Sequence, residues 1–230
     1  MNISVLGTGS VGQALASKLV TLGHNIFMGT RNVENSLNRT EPDGWGNPAP
    51  GTWIKNNPEV KLYTYKEAVQ KGNDLIVFAM NGNAAMECLK SVGEELLNEK
   101  TMLDISNPLD FSKGFPPSLT ICNTESLAEK IQSQYPGLKV VKSLNTMSNP
   151  IMINPSLISG EHSVFISGND PGAKSEVTGI LNSFGWKNDN IIDLGDISTA
   201  RGTEMMLPVW VRLFGKLQTP FFNFHINIAK

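Results

Sequence analysis

Six residues near the start of the chain, Gly7-Thr8-Gly9-Ser10-Val11-Gly12, have the types and spacing to hold an anion. They form a G-x-G-x-x-G turn. In such a turn the first glycine makes the bend, the second lets a pyrophosphate approach the backbone, and the third lets helix pack on strand. The helix that follows adds backbone N–H groups and the positive end of its dipole. About twenty residues further on, where a carboxylate would bind a ribose 2′-hydroxyl, the chain reads Gly29-Thr30-Arg31-Asn32. Arg31 offers a planar fork of donors that suits a 2′-phosphate, and Thr30 adds a hydroxyl. The pattern points to NADP(H). The plainer alternatives are a ligand-free glycine turn and a solvated loop arginine.

These residues need a strand–turn–helix–strand unit to position them, and the flanking sequence supplies one. Ile3-Ser4-Val5-Leu6 is a short apolar run of the kind made by a buried parallel strand. Val11, Ala14, Leu15, Leu19 and Leu22 recur at helical spacing, Gly23 is placed to end that helix, and 25–29 reads as the next strand. Further strands are predicted at 60–63, 75–80, 101–105 and 139–144, alternating with helices at 65–70, 84–97 and 125–134. This alternation predicts an α/β fold, a doubly wound parallel sheet ordered 3-2-1-4-5-6. The carboxyl ends of its strands would bring Ala79, Met80, Asn81, Ser106, Asn107, Asn145 and Thr146 toward the cofactor.

After Pro150 the pattern continues in reduced form. A strand is expected at 162–167, then a helix capped by Asp170-Pro171 and buried through Ala173, Val177, Ile180, Leu181 and Phe184. A strand at 190–194, a helix over 197–217 kinked at Pro208 and a terminal strand at 222–226 complete the reading. The natural division is a nucleotide-binding part at 1–150 and a C-terminal extension at 151–230, or one continuous domain. Residues 31–58 form a long connection rich in Asn, Pro and Gly that holds Trp45 and Trp53. It is expected to be a flap over the adenosine end of the cofactor or over a subunit interface, with core-filling as the alternative.

Other chemistry finds little support. His24, His162 and His225 fall at none of the predicted carboxyl ends and are assigned structural roles. Lys142 and Asn145 match a K-x-x-N spacing used by β-hydroxyacid dehydrogenases. On a strand, however, residues three apart face opposite sides, so the match is taken as coincidence. Thr8-Gly9-Ser10-Val11-Gly12 lacks the first glycine of a nucleophile elbow. Cys88 and Cys122 are isolated, which argues for reduced thiols and against a disulfide scaffold or a zinc site. No catalytic acid or base and no metal site is assigned. Such a gap suits hydride transfer between stacked rings, which needs positioning more than proton chemistry.

A net charge of −2, with 17% charged residues and no basic run, argues against nucleic acid or an anionic membrane as partner. No apolar run approaches a membrane span, and no signal peptide is recognised, so a cytoplasmic protein is expected.

The chain resembles the NADP oxidoreductases that work with the 8-hydroxy-5-deazaflavin coenzyme, and their relatives known only as dinucleotide-binding oxidoreductases. The resemblance rests on Val5 to Gly12, on Leu22-Gly23-His24 leading to Gly29-Thr30-Arg31, and on Lys142-Ser143-Leu144-Asn145-Thr146. A C-terminal segment adds Gly195-Asp196-Ile197, Ala200-Arg201, Glu204-Met205 and Leu207-Pro208-Val209-Trp210-Val211-Arg212-Leu213. It implies a Rossmann-type three-layer fold and NADPH held by Thr8, Ser10, Val11, Thr30 and Arg31. It also implies a C-terminal part covering the acceptor side, and a homodimer. Hydride would pass between NADP(H) and a flavin-like or deazaflavin acceptor. An NADPH-dependent flavin or metal reductase and a non-catalytic NADP(H) sensor are the alternatives. The stretch Glu41-Pro42-Asp43-Gly44-Trp45-Gly46-Asn47-Pro48 departs from the deazaflavin enzymes proper.

Overall fold

The computed structural model describes residues 1–229. They fall into two compact units, Met1–Ser106 with Tyr135–Leu138, and Asn107–Gln134 with Lys139 onward. The functional division expected at residue 150 is a different partition from this one.

The first unit is a sheet of five parallel strands with helices. Its strands are β1 (Asn2–Leu6), β2 (Asn25–Thr30), β3 (Lys61–Thr64), β4 (Leu75–Phe78) and β5 (Thr101–Asp104). Their order is β5-β4-β1-β2-β3, the order expected for the first five strands. Leu75, Ile76, Val77 and Phe78 are all fully buried, as a central strand covered on both faces must be. The helices are α1 (Ser10–Thr21), α2 (Val33–Leu37), α3 (Pro50–Asn56), α4 (Tyr65–Lys71), α5 (Ala85–Val92) and α6 (Glu94–Leu97). A capping box starts α4: the Thr64 hydroxyl accepts from the Glu67 N–H while the Glu67 carboxylate accepts from the Thr64 N–H at 3.0 Å. The single helix expected over 84–97 is broken, because Gly93 adopts φ +96° between α5 and α6. The 31–58 connection is likewise not structureless, since it contains α2 and α3.

In the second unit a small antiparallel pair, β6 (Leu109–Asp110) with β7 (Ser118–Leu119), precedes α7 (Leu127–Gln134). Then come β8 (Lys139–Ser143), α8 (Asn149–Ile153), β9 (Val164–Gly168), α9 (Pro171–Phe184), β10 (Ile191–Asp193) and α10 (Ala200–Leu217). The Asp170 carboxylate caps α9 by accepting from the Ala173 N–H at 2.7 Å. The predicted buried face of that helix is the observed one. Two expectations need correction. Strand β9 runs antiparallel to β8, although β10 is parallel to β9. A parallel neighbour needs a long helical crossover, and the β8–β9 connection supplies only the short α8 and a 3₁₀ turn. The strand expected at 222–226 does not form: its Phe224 carbonyl accepts one backbone bond, from Ser163 at 2.8 Å, where a ladder needs several. The chain as a whole is a mostly parallel, Rossmann-like α/β fold.

The second unit is tied together by a buried ion pair that the sequence did not announce. Lys142 on β8 lies 2.9 Å from Glu204 on α10, and both side chains are almost fully buried. The Glu204 carboxylate also accepts from the Leu127 and Ala128 N–H groups, at 2.8 and 3.1 Å, at the start of α7. Arg201, one turn earlier on α10, pairs with Glu129 on α7 and holds that carboxyl below the usual carboxylate range. Removing one partner of a buried pair strands the other's charge and costs about 3–5 kcal/mol, whereas removing both in favour of apolar groups costs far less. Urea unfolding of Lys142→Ala should show a loss of that size, and the double variant Lys142→Met/Glu204→Leu should recover most of it.

Candidate functional site

The turn between β1 and α1 is built by backbone contact. Gly7 sits at φ +121°, and a Cβ there would lie 2.3 Å from the Ala79 carbonyl oxygen. At Gly12 a Cβ would lie 2.1 Å from the Gly7 carbonyl oxygen. Gly9 is different, because nothing lies within 4 Å of where its Cβ would be. Packing explains two of the glycines, while the third faces open space, as the approach of a ligand to the backbone would require. Gly9 also precedes α1 as its N-cap, with no side-chain cap and no acid in the first turn. That helix end suits an anion.

Part of the 31–58 connection lies across this turn. Thr8, Gly9, Ser10 and Gln13 share a cavity of about 150 Å³ with Arg39, Asp43, Asn47 and Pro48. The buried Gln13 amide donates to the Thr8 carbonyl at 2.9 Å and to the Pro48 carbonyl at 3.0 Å, fastening the segment to the turn. Asp43 shapes the segment's tip by accepting from the Trp45 and Asn47 N–H groups and from the Asn47 amide. Those bonds, led by the Asn47 amide, lower its pKa. The tryptophans part company: Trp53 is 8% exposed and fills core, while Trp45 is 73% exposed. The core-filling alternative therefore describes Trp53, while Trp45 stays outside the core.

Arg31 follows β2 directly, and its Nη2 lies 3.1 Å from a Glu87 carboxylate oxygen on α5. Thr30 is buried, with its hydroxyl 2.7 Å from that of Ser36, so part of its hydrogen-bonding capacity is already used. A cavity of about 130 Å³ opens beside Arg31, lined also by Thr64, Tyr65, Lys66, Ala84, Glu87, Cys88 and Ser91. Burial pushes both the Tyr65 hydroxyl and the Cys88 thiol up to about 12, which keeps that thiol protonated and unreactive at neutral pH.

The residues at the strand ends divide between the units. Ala79 and Met80 follow β4, with the Ala79 N–H bonded to the Leu6 carbonyl at 2.9 Å. The Asn81 side chain caps the 3₁₀ turn Gly82–Ala84. Ser106 donates its hydroxyl and its N–H to the fully buried Asp104, at 2.6 and 2.9 Å. In the second unit Asn107 and Asn145 bond reciprocally, each at 2.9 Å, with the buried Thr146 alongside in sequence. Leu144 makes this possible by turning the chain at φ +62°, a conformation uncommon for leucine and one that sequence pattern did not reveal. The histidines are structural where they are engaged. His162 is buried against Trp186, with Nε2 2.9 Å from the Pro155 carbonyl, and burial lowers the pKa of His24. Lys142 is held by Glu204, and β8 ends at Ser143, so Asn145 lies beyond the strand on which the K-x-x-N match was set aside.

Comparison with known proteins bears on the family and the fold. The family described as NADP oxidoreductase, coenzyme F420-dependent, matches residues 2–108. A crystal structure of a protein named a "putative F420 dependent NADP-reductase", from Arthrobacter sp. FB24, is 47% identical, with a TM-score of 0.93, covering 99% of this chain and 100% of that one. The metalloreductase STEAP3 of Rattus norvegicus is 24% identical over 213 residues, 90% of this chain. The chain spans only 37% of that relative's length. An imine reductase from Myxococcus stipitatus, solved with NADP+, is 17% identical with a TM-score of 0.62 and shares the fold.

Two outcomes follow from the site. Gly12→Ala should lower the melting temperature markedly, because its Cβ meets backbone, whereas Gly9→Ala should melt like the parent and lose nucleotide binding in calorimetry. Nucleotide binding should also change Trp45 fluorescence and slow proteolytic cutting within residues 39–47, the part of the segment that faces the glycine turn.

Proposed function

Because the chain belongs to the family of coenzyme F420-dependent NADP oxidoreductases, we propose that it passes a hydride between NADP(H) and a flavin-like acceptor, a deazaflavin above all. The observation that carries the nucleotide half is the combination of an open glycine, Gly9, with an arginine and no carboxylate after β2. Thr8, Ser10 and Val11 would bring the turn and the α1 N-terminus to the pyrophosphate. Arg31 would pair with the 2′-phosphate, assisted by Thr30, and so favour the nucleotide that carries it. NADPH, when bound, supplies the hydride.

On this reading Ala79, Met80, Asn81, Ser106, Asn107, Asn145 and Thr146 orient the nicotinamide. Residues 1–150 hold the nucleotide, and 151–230 serve the acceptor. The working form is a cytoplasmic homodimer acting on a small-molecule acceptor. Support for the deazaflavin comes from the family description. The likeness to STEAP3 favours a second reading, flavin-mediated reduction of a ferric chelate. Among the described residues no helix is long and apolar enough to cross a membrane.

The decisive assay follows NADPH oxidation with a deazaflavin, FMN, FAD, a ferric chelate and small ketones. Turnover should be fastest with the deazaflavin and poor with ketones; fastest turnover of ferric chelate would favour the second reading, and none with any acceptor a sensor. Charge-assisted bonds are worth about 1.5–3 kcal/mol, so Arg31→Ala should weaken NADPH binding about 10- to 100-fold in calorimetry and leave NADH nearly unchanged.

A further inference from the structure

The cation assigned to the 2′-phosphate already has a partner. Arg31 Nη2 lies 3.1 Å from Glu87 Oε2, with the two side chains 66% and 69% exposed. Among the described residues lining the adjoining cavity, Glu87 is the one acid, set against the cations Arg31 and Lys66. A phosphate dianion arriving at Arg31 meets a carboxylate within one hydrogen bond of its own target. On the Nη2 edge the two anions would be in close like-charge contact, which favours release of the singly bonded carboxylate.

We infer that Glu87 is a specificity-tuning residue that occupies Arg31 when the nucleotide is absent and is displaced by the 2′-phosphate, and this rests on the NADP(H) reading above. Displacement is easy for two reasons on the page. An ion pair this exposed is weakly held and screened by salt. Glu87 also lies in the first turn of α5, where the helix dipole favours a negative charge, so the released carboxylate keeps a favourable setting. The consequence for binding is directional. Glu87 keeps Arg31 from recruiting simple anions, and it lowers the affinity for NADP(H) without touching NAD(H), so it narrows the preference that Arg31 creates.

The test is calorimetry of NADP+ and NAD+ against the parent, Glu87→Gln and Arg31→Ala at low and high salt. Glu87→Gln should tighten NADP+ about two- to tenfold at low salt, with a smaller gain at high salt, and leave NAD+ within about twofold. Unchanged or weaker NADP+ binding in Glu87→Gln, or equal gains for both nucleotides, would overturn the inference while the NADP(H) reading stood. Failure of that reading looks different: the parent would not prefer NADP+, or Arg31→Ala would lose both nucleotides equally.

Discussion

Backbone packed on backbone is the constraint from which the rest of the first unit follows. Gly7 and Gly12 leave no space for a methyl group, so the β1–α1 turn is drawn against the end of β4 and the helix is drawn onto the turn. The five-strand parallel order then places the ends of β1, β2 and β4 together, because β1 is hydrogen-bonded to both of the others. Gly9 gains its meaning from that frame. Nothing lies within 4 Å of where its Cβ would be, so the backbone at the start of α1 stays open.

Charge is used in two contrasting ways. The Lys142–Glu204 pair is dry, multiply bonded and joined to the start of α7, so it holds three elements of the second unit in register. The Arg31–Glu87 pair is wet and singly bonded, and can open at little cost. The first is a structural joint. The second leaves its cation available to a stronger anion. Exposure separates these roles, although each is a lysine or arginine beside a glutamate.

The 31–58 connection shows how a polar, loop-like composition can still be ordered. Two short helices, the Gln13 bonds and the Asp43-centred tip anchor it, while Trp53 buries one end of it. None of these ties is local enough to read from spacing: Gln13 and Pro48 lie 35 residues apart. The same segment adds walls to the glycine-turn cavity.

Much of the first unit was legible in the amino-acid sequence, because its signals are local. Continuous apolar runs mark β1 and β4 and the 3.6-residue period marks α1; in the second unit the same local signals mark α9 and its start at Asp170-Pro171. The roles of Gly7 and Gly12 were legible for the same reason, since motif spacing encodes where backbones must meet. Tertiary structure decided what depends on distant partners. The direction of β9 followed from a connection too short in helix for a crossover, and the strand expected at 222–226 failed for want of a ladder. The burial of Lys142 and the carboxylate beside Arg31 both came from residues brought together across tens of positions. A sequence states which groups a chain carries; only the fold decides which of them are already taken.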